Sequence, residues 1–205
     1  MPFSCSGTGL ELCVRFDTVE AGNLYLDESG NSNTVHIVNG YETDGISNCA
    51  ALQGVGAQYE IYDHVSLDIA SEVTVEAWVR LDSLPSSGRV GILDNQNQYG
   101  MFYYAASGFT FHGCGGVFKN DVIPGEWFHI AGTLDGTQMV IYFNGIPKQR
   151  PCSFSGGDTS NTDPIAILAN SPGFNDQADG AIDNLRVWSV ARSQLQICAG
   201  ANLSC

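Results

Sequence analysis

Four oxygen-bearing side chains recur at every second position in the run Asp27-Glu28-Ser29-Gly30-Asn31-Ser32-Asn33: Asp27, Ser29, Asn31 and Asn33. A curled loop with that spacing can turn several oxygens toward one centre. Calcium, a hard cation, asks for about 6–8 oxygen ligands, including main-chain carbonyls and water. The run starts like an EF-hand loop and then departs from it. Where that loop needs glycine the chain has Ser32, and where it needs a closing glutamate the chain has Val38. The same residues also suit a plain turn in which Asp27 and Asn31 cap main-chain amides. Both readings stay open at this level. Asp176 and Asp179 form a second, sparser acidic pair.

A different chemistry, the binding of polyhydroxylated ligands, needs flat aromatic faces beside amides and carboxylates. Two stretches carry that mixture. One is Asp94-Asn95-Gln96-Asn97-Gln98-Tyr99, followed by Tyr103 and Tyr104; the other is Phe174-Asn175-Asp176-Gln177. The candidate ligand-binding residues are Asn95, Gln96, Tyr99, Tyr104, Phe174, Asn175 and Asp176. They can act together only if the fold brings the two stretches to one place. The alternative is a pair of ordinary polar turns with tyrosines packed on a sheet.

Catalytic patterns are missing. There is no Gly-x-Ser-x-Gly, phosphate loop or His-Glu-x-x-His, and His36, His64, His112 and His129 have no evident nucleophile beside them. Glu72 and Glu76 share one strand face, but paired-carboxylate hydrolysis needs more than that spacing. A non-catalytic chain is expected. His112-Gly113-Cys114 offers two soft ligands, too few for a metal centre.

Asp plus Glu number 22 against 8 Lys plus Arg in 205 residues, a formal charge of −14. Such a surface repels phosphate backbones and anionic membranes, which excludes nucleic acid as a partner. It suits calcium, or it serves only solubility. No apolar run reaches the ~18 residues of a membrane span. The seven cysteines are dispersed without a CxxC pair, which disfavours zinc ribbons and points to disulfides in an oxidising compartment. Expected bridges are Cys198–Cys205, Cys114–Cys152 and one among Cys5, Cys13 and Cys49, with one thiol left over. Residues 1–5 lack a leader's basic and apolar regions, so an exported form is expected to have lost its leader. Asn202-Leu203-Ser204 matches a glycosylation sequon.

Short alternating runs must position these residues. Leu10, Leu12, Val14 and Phe16 share one strand face. In Val73–Leu81, Val73, Val75, Ala77, Val79 and Leu81 take one side, and Thr74, Glu76, Trp78 and Arg80 the other. Trp78 on the second side predicts that both faces are partly covered. Further strands are expected at 35–38, 58–62, 65–69, 89–94, 99–105, 109–112, 127–135, 138–143, 165–168 and 181–188. Asp135-Gly136 and Asn144-Gly145 mark hairpins. Residues 151–163 should form a long loop, and 193–199 one helical turn. With no repeat or composition break, one all-β domain over residues 1–205 is expected, a two-sheet antiparallel sandwich or jelly roll.

Three ordered blocks, residues 27–33, 73–79 and the series 127–136, 141–145 and 180–188 (Trp-Phe-His-Ile-Ala-Gly-Thr-Leu-Asp-Gly, Ile-Tyr-Phe-Asn-Gly, Gly-Ala-Ile-Asp-Asn-Leu-Arg-Val-Trp), resemble the laminin-G-like jelly roll of the concanavalin A-like superfamily. The resemblance covers roughly residues 10–198. It implies a calcium ion held by Asp27, Asn31 and Asn33 together with Asp183 of the Gly-x-Ile-Asp block, and a structural role for Glu76 and His129. The laminarinase-like branch carries Glu-x-Asp-x-x-Glu on one strand, and that motif is absent here. The resemblance therefore implies a secreted or cell-surface module that binds carbohydrate or an extracellular protein.

Overall fold

Alternation along β5 (Val73–Leu81) aims Val73, Val75, Ala77, Val79 and Leu81 inward, all of them buried. The computed structural model describes residues 3–46, 50–111, 114–153 and 157–205; Cys49 and His112 lie outside these. β5 pairs antiparallel with β10 (Trp127–Leu134) on one side and β14 (Gly180–Trp188) on the other. β11 (Gln138–Phe143) and β12 (Ile146–Pro151) extend that sheet beyond β10, and β1 (Leu10–Val14) joins β14. The second sheet runs through β13 (Ile165–Ile167), β6 (Arg89–Asn95), β7 (Tyr99–Tyr104), β8 (Gly108–Phe111) and β9 (Cys114–Val117).

β4 (Ala50–Ile61) belongs to both sheets. Leu52 lies opposite Ile182 of β14, whereas Tyr59 and Ile61 lie opposite Ile167 and Ile165 of β13. β3 (Val35–Asp44) follows β4, and β2 (Leu24–Tyr25) pairs with β3. The two antiparallel sheets form a sandwich, as the residue pattern predicts. Phe128, Ile130, Ile141, Ile182 and Val187 meet Leu93, Tyr99, Met101, Phe109 and Phe111 in one buried core. Each such large apolar side chain contributes roughly 1.5–3 kcal/mol by leaving water.

Local composition misleads in several places. β3 runs to Asp44 rather than stopping at Val38, because pairing with β4 overrides the turn-like Asn39-Gly40 through two register shifts. Residues 65–67 form a 3-10 turn, not a strand, with the Ser66 amide donating to Nδ1 of His64. β2 and β9 are too short to show alternation. The terminal helix α1 (Gln194–Ala201) is longer than one turn, because Ser193 and Gln196 close a capping box at its start.

Cystine bridges join Cys5 to Cys13, Cys114 to Cys152 and Cys198 to Cys205. The second ties β9 to the residue after β12, linking edge strands of the two sheets. β12 itself resists further pairing. Asn144 and Gly145 both take positive φ, so the β11–β12 hairpin has a two-residue turn, and Ile146, Lys148 and Arg150 direct their amides toward β11. Pro147, Gln149 and Pro151 face the open edge, and of these Gln149 alone has an N–H.

The outer face of the first sheet is covered too. Phe3, Cys5, Leu10, Cys13, Trp188 and Val190 cluster there, and Ile197 of α1 packs on Ala131 and Tyr142.

Candidate functional site

The Asp27 loop is a hydrogen-bonded plug on β1. Asp27 Oδ1 accepts the amides of Cys13 (2.8 Å) and Ser29 (2.9 Å). Its Oδ2 accepts the Ser29 hydroxyl (2.7 Å) and the Asn33 amide (2.9 Å). Asn31 and Asn33 both donate to the main-chain carbonyl of Glu11, at 3.1 and 2.7 Å, and Asn33 donates also to Ser66 Oγ. Held this way, Asp27 has no lone pair to spare for a cation. Asn33 keeps a buried Oδ1 without a partner among the described residues.

Asp183 stands elsewhere, opposite Trp78 at a bulge of β14. Its Oδ2 accepts the Ile46 amide at 2.9 Å, and its Oδ1 is buried without a partner among the described residues. Burial pushes the carboxyl up to about 7, with the negative charge of Asp17 adding and the amides of Ile46 and Asn184 opposing. A buried carboxylate oxygen without a donor suits an oxygen-seeking cation. The donor chemistry at Asp183 suits calcium, whereas both oxygens of Asp27 are taken up by three amides and a hydroxyl. Among the described residues no three His, Cys, Asp or Glu side chains converge, so main-chain oxygens and water would complete such a site.

The two aromatic and amide stretches do meet, and Arg89 joins them. It lies opposite Tyr104 on the β6–β7 pair, with its guanidinium 4.0 Å above the ring of Phe102. Nε donates to Asp176 Oδ2 at 2.8 Å, Nη1 to the Tyr104 hydroxyl at 3.1 Å, and Nη2 to Asn170 Oδ1 at 2.8 Å. Main-chain bonds set the far loop: Asn170 N–H donates to Asn175 O, and Gly91 N–H donates to Asp176 O. Gly91 is required there, because a Cβ would collide with the carbonyl of Ala169. The result is an open cleft of about 320 Å³ lined by Arg89, Asp94, Gln96, Asn97, Phe102 and Asn170, among others.

The predicted ligand-binding residues divide by exposure. Gln96 lines the cleft and is half-buried; half-buried Tyr104 and Asp176 reach it only through Arg89, exposed Asn175 only through its main-chain bond to Asn170, and Phe174 is not among the lining residues. Asn95 and Tyr99 also line it, but both are buried and both donate to the Leu67 carbonyl at 3.2 Å. Their polar atoms fasten the loop to the 3-10 turn. Gln98 does the same through Asp68 (2.8 Å), and residues 158 and 161 hold the loop from the other side. Arg89 was the missed residue, and Asp94 headed the first polar stretch without standing among the candidate contacts. The rarity of cations, 8 in the chain, was the signal that marked Arg89.

Glu76 and His129 occupy a separate buried cluster under α1 and the N-terminal segment. Glu76 accepts from Trp188 Nε1 at 2.8 Å and from Arg192, and pairs with Arg186 at 3.2 Å. His129 Nε2 lies 3.8 Å from it. Burial, with Arg186 and Arg192 adding, pulls His129 down to about 3, so it is neutral. The cluster is sealed from solvent and serves structure.

A family model of laminin-G type, described as the concanavalin A-like lectin/glucanases superfamily, matches residues 53–198. It includes the second and third sequence blocks; the Asp27 run precedes it. Pappalysin-1 of Mus musculus is 34% identical over 80 residues, covering 37% of this chain and 5% of that protein's length. This chain therefore matches a small part of a much longer relative. Domain 4 of AbnA, a GH43 extracellular arabinanase from Geobacillus stearothermophilus solved in complex with arabinotriose, superposes with a TM-score of 0.70 at 18% identity, covering 96% of this chain and 100% of that one. The binding domain of botulinum neurotoxin DC, solved in complex with rat synaptotagmin II, gives 0.65 at 12%, covering 95% of this chain and 51% of that one. At such identities the likeness is one of fold. The family match spans well over half of the chain, and the sandwich built around β5, β10 and β14 agrees with it: the chain belongs to the concanavalin A-like lectin/glucanases superfamily.

Proposed function

We propose that the protein is a non-catalytic extracellular module that binds carbohydrate in the Arg89 cleft and is stabilised by a calcium ion at Asp183. The carrying observation is the convergence of the 94–100 and 170–176 loops through Arg89, which places amides, a carboxylate and an aromatic edge around one open cleft. Sugar recognition uses that mixture. The superposable arabinanase domain, itself solved with arabinotriose, supports the same reading. Three disulfides support an oxidising, extracellular setting.

Calcium would supply cross-linking rather than chemistry. Asp183 would hold it with Asp17 close by, tying β14 to the segment after β1. A glycan array followed by calorimetric titration tests the sugar reading, and silence across a broad array would remove it.

One observation favours an adhesion role instead. On the β2–β3–β4 face, Tyr62 stacks on His36 at 4.0 Å beside exposed Val38 and Leu26. Such a patch suits an extracellular protein partner, and substitution of Tyr62 with loss of cell-surface binding would support it.

A further inference from the structure

Asp94 and Gly100 face each other across the β6–β7 pair at the floor of the cleft. Asp94 is only 6% exposed. Its Oδ2 accepts the Ser171 amide at 2.9 Å, while its Oδ1 has no protein donor among the described residues. A Cβ on residue 100 would stand 2.7 Å from that oxygen and 2.8 Å from Cε2 of Phe102. Glycine is therefore what keeps the space over Asp94 Oδ1 open. That oxygen opens into the cleft that Asp94 lines, where a ligand hydroxyl can donate to it.

The surrounding charge narrows the ligand. Arg89 is the cation that lines the cleft, and three of its five N–H donors go to Asp176, Tyr104 and Asn170. Its guanidinium also covers one face of Phe102, so recognition falls to polar groups more than to ring stacking. A ligand carboxylate would meet Asp94 and Asp176 in a chain of net charge −14, where the charge of Arg89 is already paired with Asp176. Burial pushes Asp94 up to about 6, with the Ser171 amide and Arg89 opposing and Asp176 adding; it is ionised at neutral pH and accepts only.

We infer that the cleft takes an uncharged sugar, anchored by ligand hydroxyls donating to Asp94 Oδ1 over the bare Cα of Gly100, and refuses uronic and sialic acids. This rests on the carbohydrate reading and narrows it to a ligand class and an anchoring residue.

The test is calorimetric titration at neutral pH with pairs related in structure and different in charge: galactotriose against trigalacturonate, and lactose against 3′-sialyllactose. Three proteins are compared, the unaltered chain, Asp94→Asn and Gly100→Ala. The asparagine can keep an oxygen on the Ser171 amide and turns a donor toward the ligand. Melting curves confirm that each variant is folded. The expected result is binding of at least one neutral sugar, its acidic counterpart weaker by about tenfold or more, and a loss of about tenfold or more in Asp94→Asn. Gly100→Ala should lose binding as well. Neutral sugars bound equally by both variants would overturn the anchoring while leaving the carbohydrate reading intact. An acidic sugar bound as tightly as its neutral partner would overturn the selectivity. Silence from every sugar on the unaltered chain would overturn both readings.

Discussion

Replacing Asp27 by alanine removes one acceptor that four donors share: the amides of Cys13, Ser29 and Asn33 and the hydroxyl of Ser29, at 2.7 to 2.9 Å. Hydrogen bonds to charged groups contribute roughly 1.5–3 kcal/mol each. These four share one carboxylate and are not additive, so Asp27→Ala is expected to cost about 3–5 kcal/mol. Asp27→Asn retains one oxygen but turns an amide nitrogen toward two donors, and should cost about 2–3 kcal/mol. Urea unfolding with the disulfides intact, followed by tryptophan fluorescence, measures both. The decisive comparison is between calcium-loaded and chelated protein. Because Asp27 has no free lone pair, the loss should be the same in each. A loss below about 1 kcal/mol would refute the hydrogen-bond account. So would an Asp27→Ala chain that matches the unaltered one once calcium is stripped, since Asp27 would then be acting through the ion.

Four further outcomes are expected. Glu76→Gln leaves Arg186 and Arg192 buried beside a neutral group, and should cost about 3–5 kcal/mol in the same urea assay. His129, held down to about 3 by burial, stays neutral in the fold while the unfolded chain takes up a proton near pH 6.5; its contribution is complete above 6.5 and is lost as pH falls toward 3, which unfolding across pH and the His129 ring shifts will report. Asp183 has the opposite sign: raised from 3.8 to about 7, it stays protonated in the fold after the unfolded chain has ionised, so stability falls as pH rises through that window. Asp183→Asn should therefore stabilise calcium-free protein above neutrality and abolish any calcium-induced rise in melting temperature. Finally, Pro147→Val with Pro151→Thr gives the open edge of β12 two more amides, and size-exclusion chromatography should show self-association.

The strands that carry the site were legible because alternation survives wherever one face is buried. Val73–Leu81 declared its inward set, 127–135 and 138–143 read as a strand hairpin, and the structure keeps both. β3 was cut short because Asn39-Gly40 reads as a turn, and only pairing with β4 carries the strand through it. The two polar stretches of the cleft were visible by composition, yet nothing local joined them. Their meeting depends on Arg89, whose partners Asp176 and Asn170 lie 87 and 81 residues away. Asn95 and Tyr99 looked like ligand contacts by type, but a strand end and a 3-10 turn claim their polar atoms. In the Asp27 run, spacing alone could not separate a cation cradle from a capped turn. The amides of Cys13, Ser29 and Asn33 all bond Asp27, and the Cys13 amide comes from a neighbouring strand.

The most direct test of the central claim is a heteronuclear NMR titration of the intact chain with neutral trisaccharides, read at the main-chain amides. The account predicts shifts concentrated at Gln96, Asn97, Gly100, Phe102 and Asn170 that saturate with added sugar. Saturable shifts confined to the Tyr62 and His36 face, or none at any residue, would contradict it.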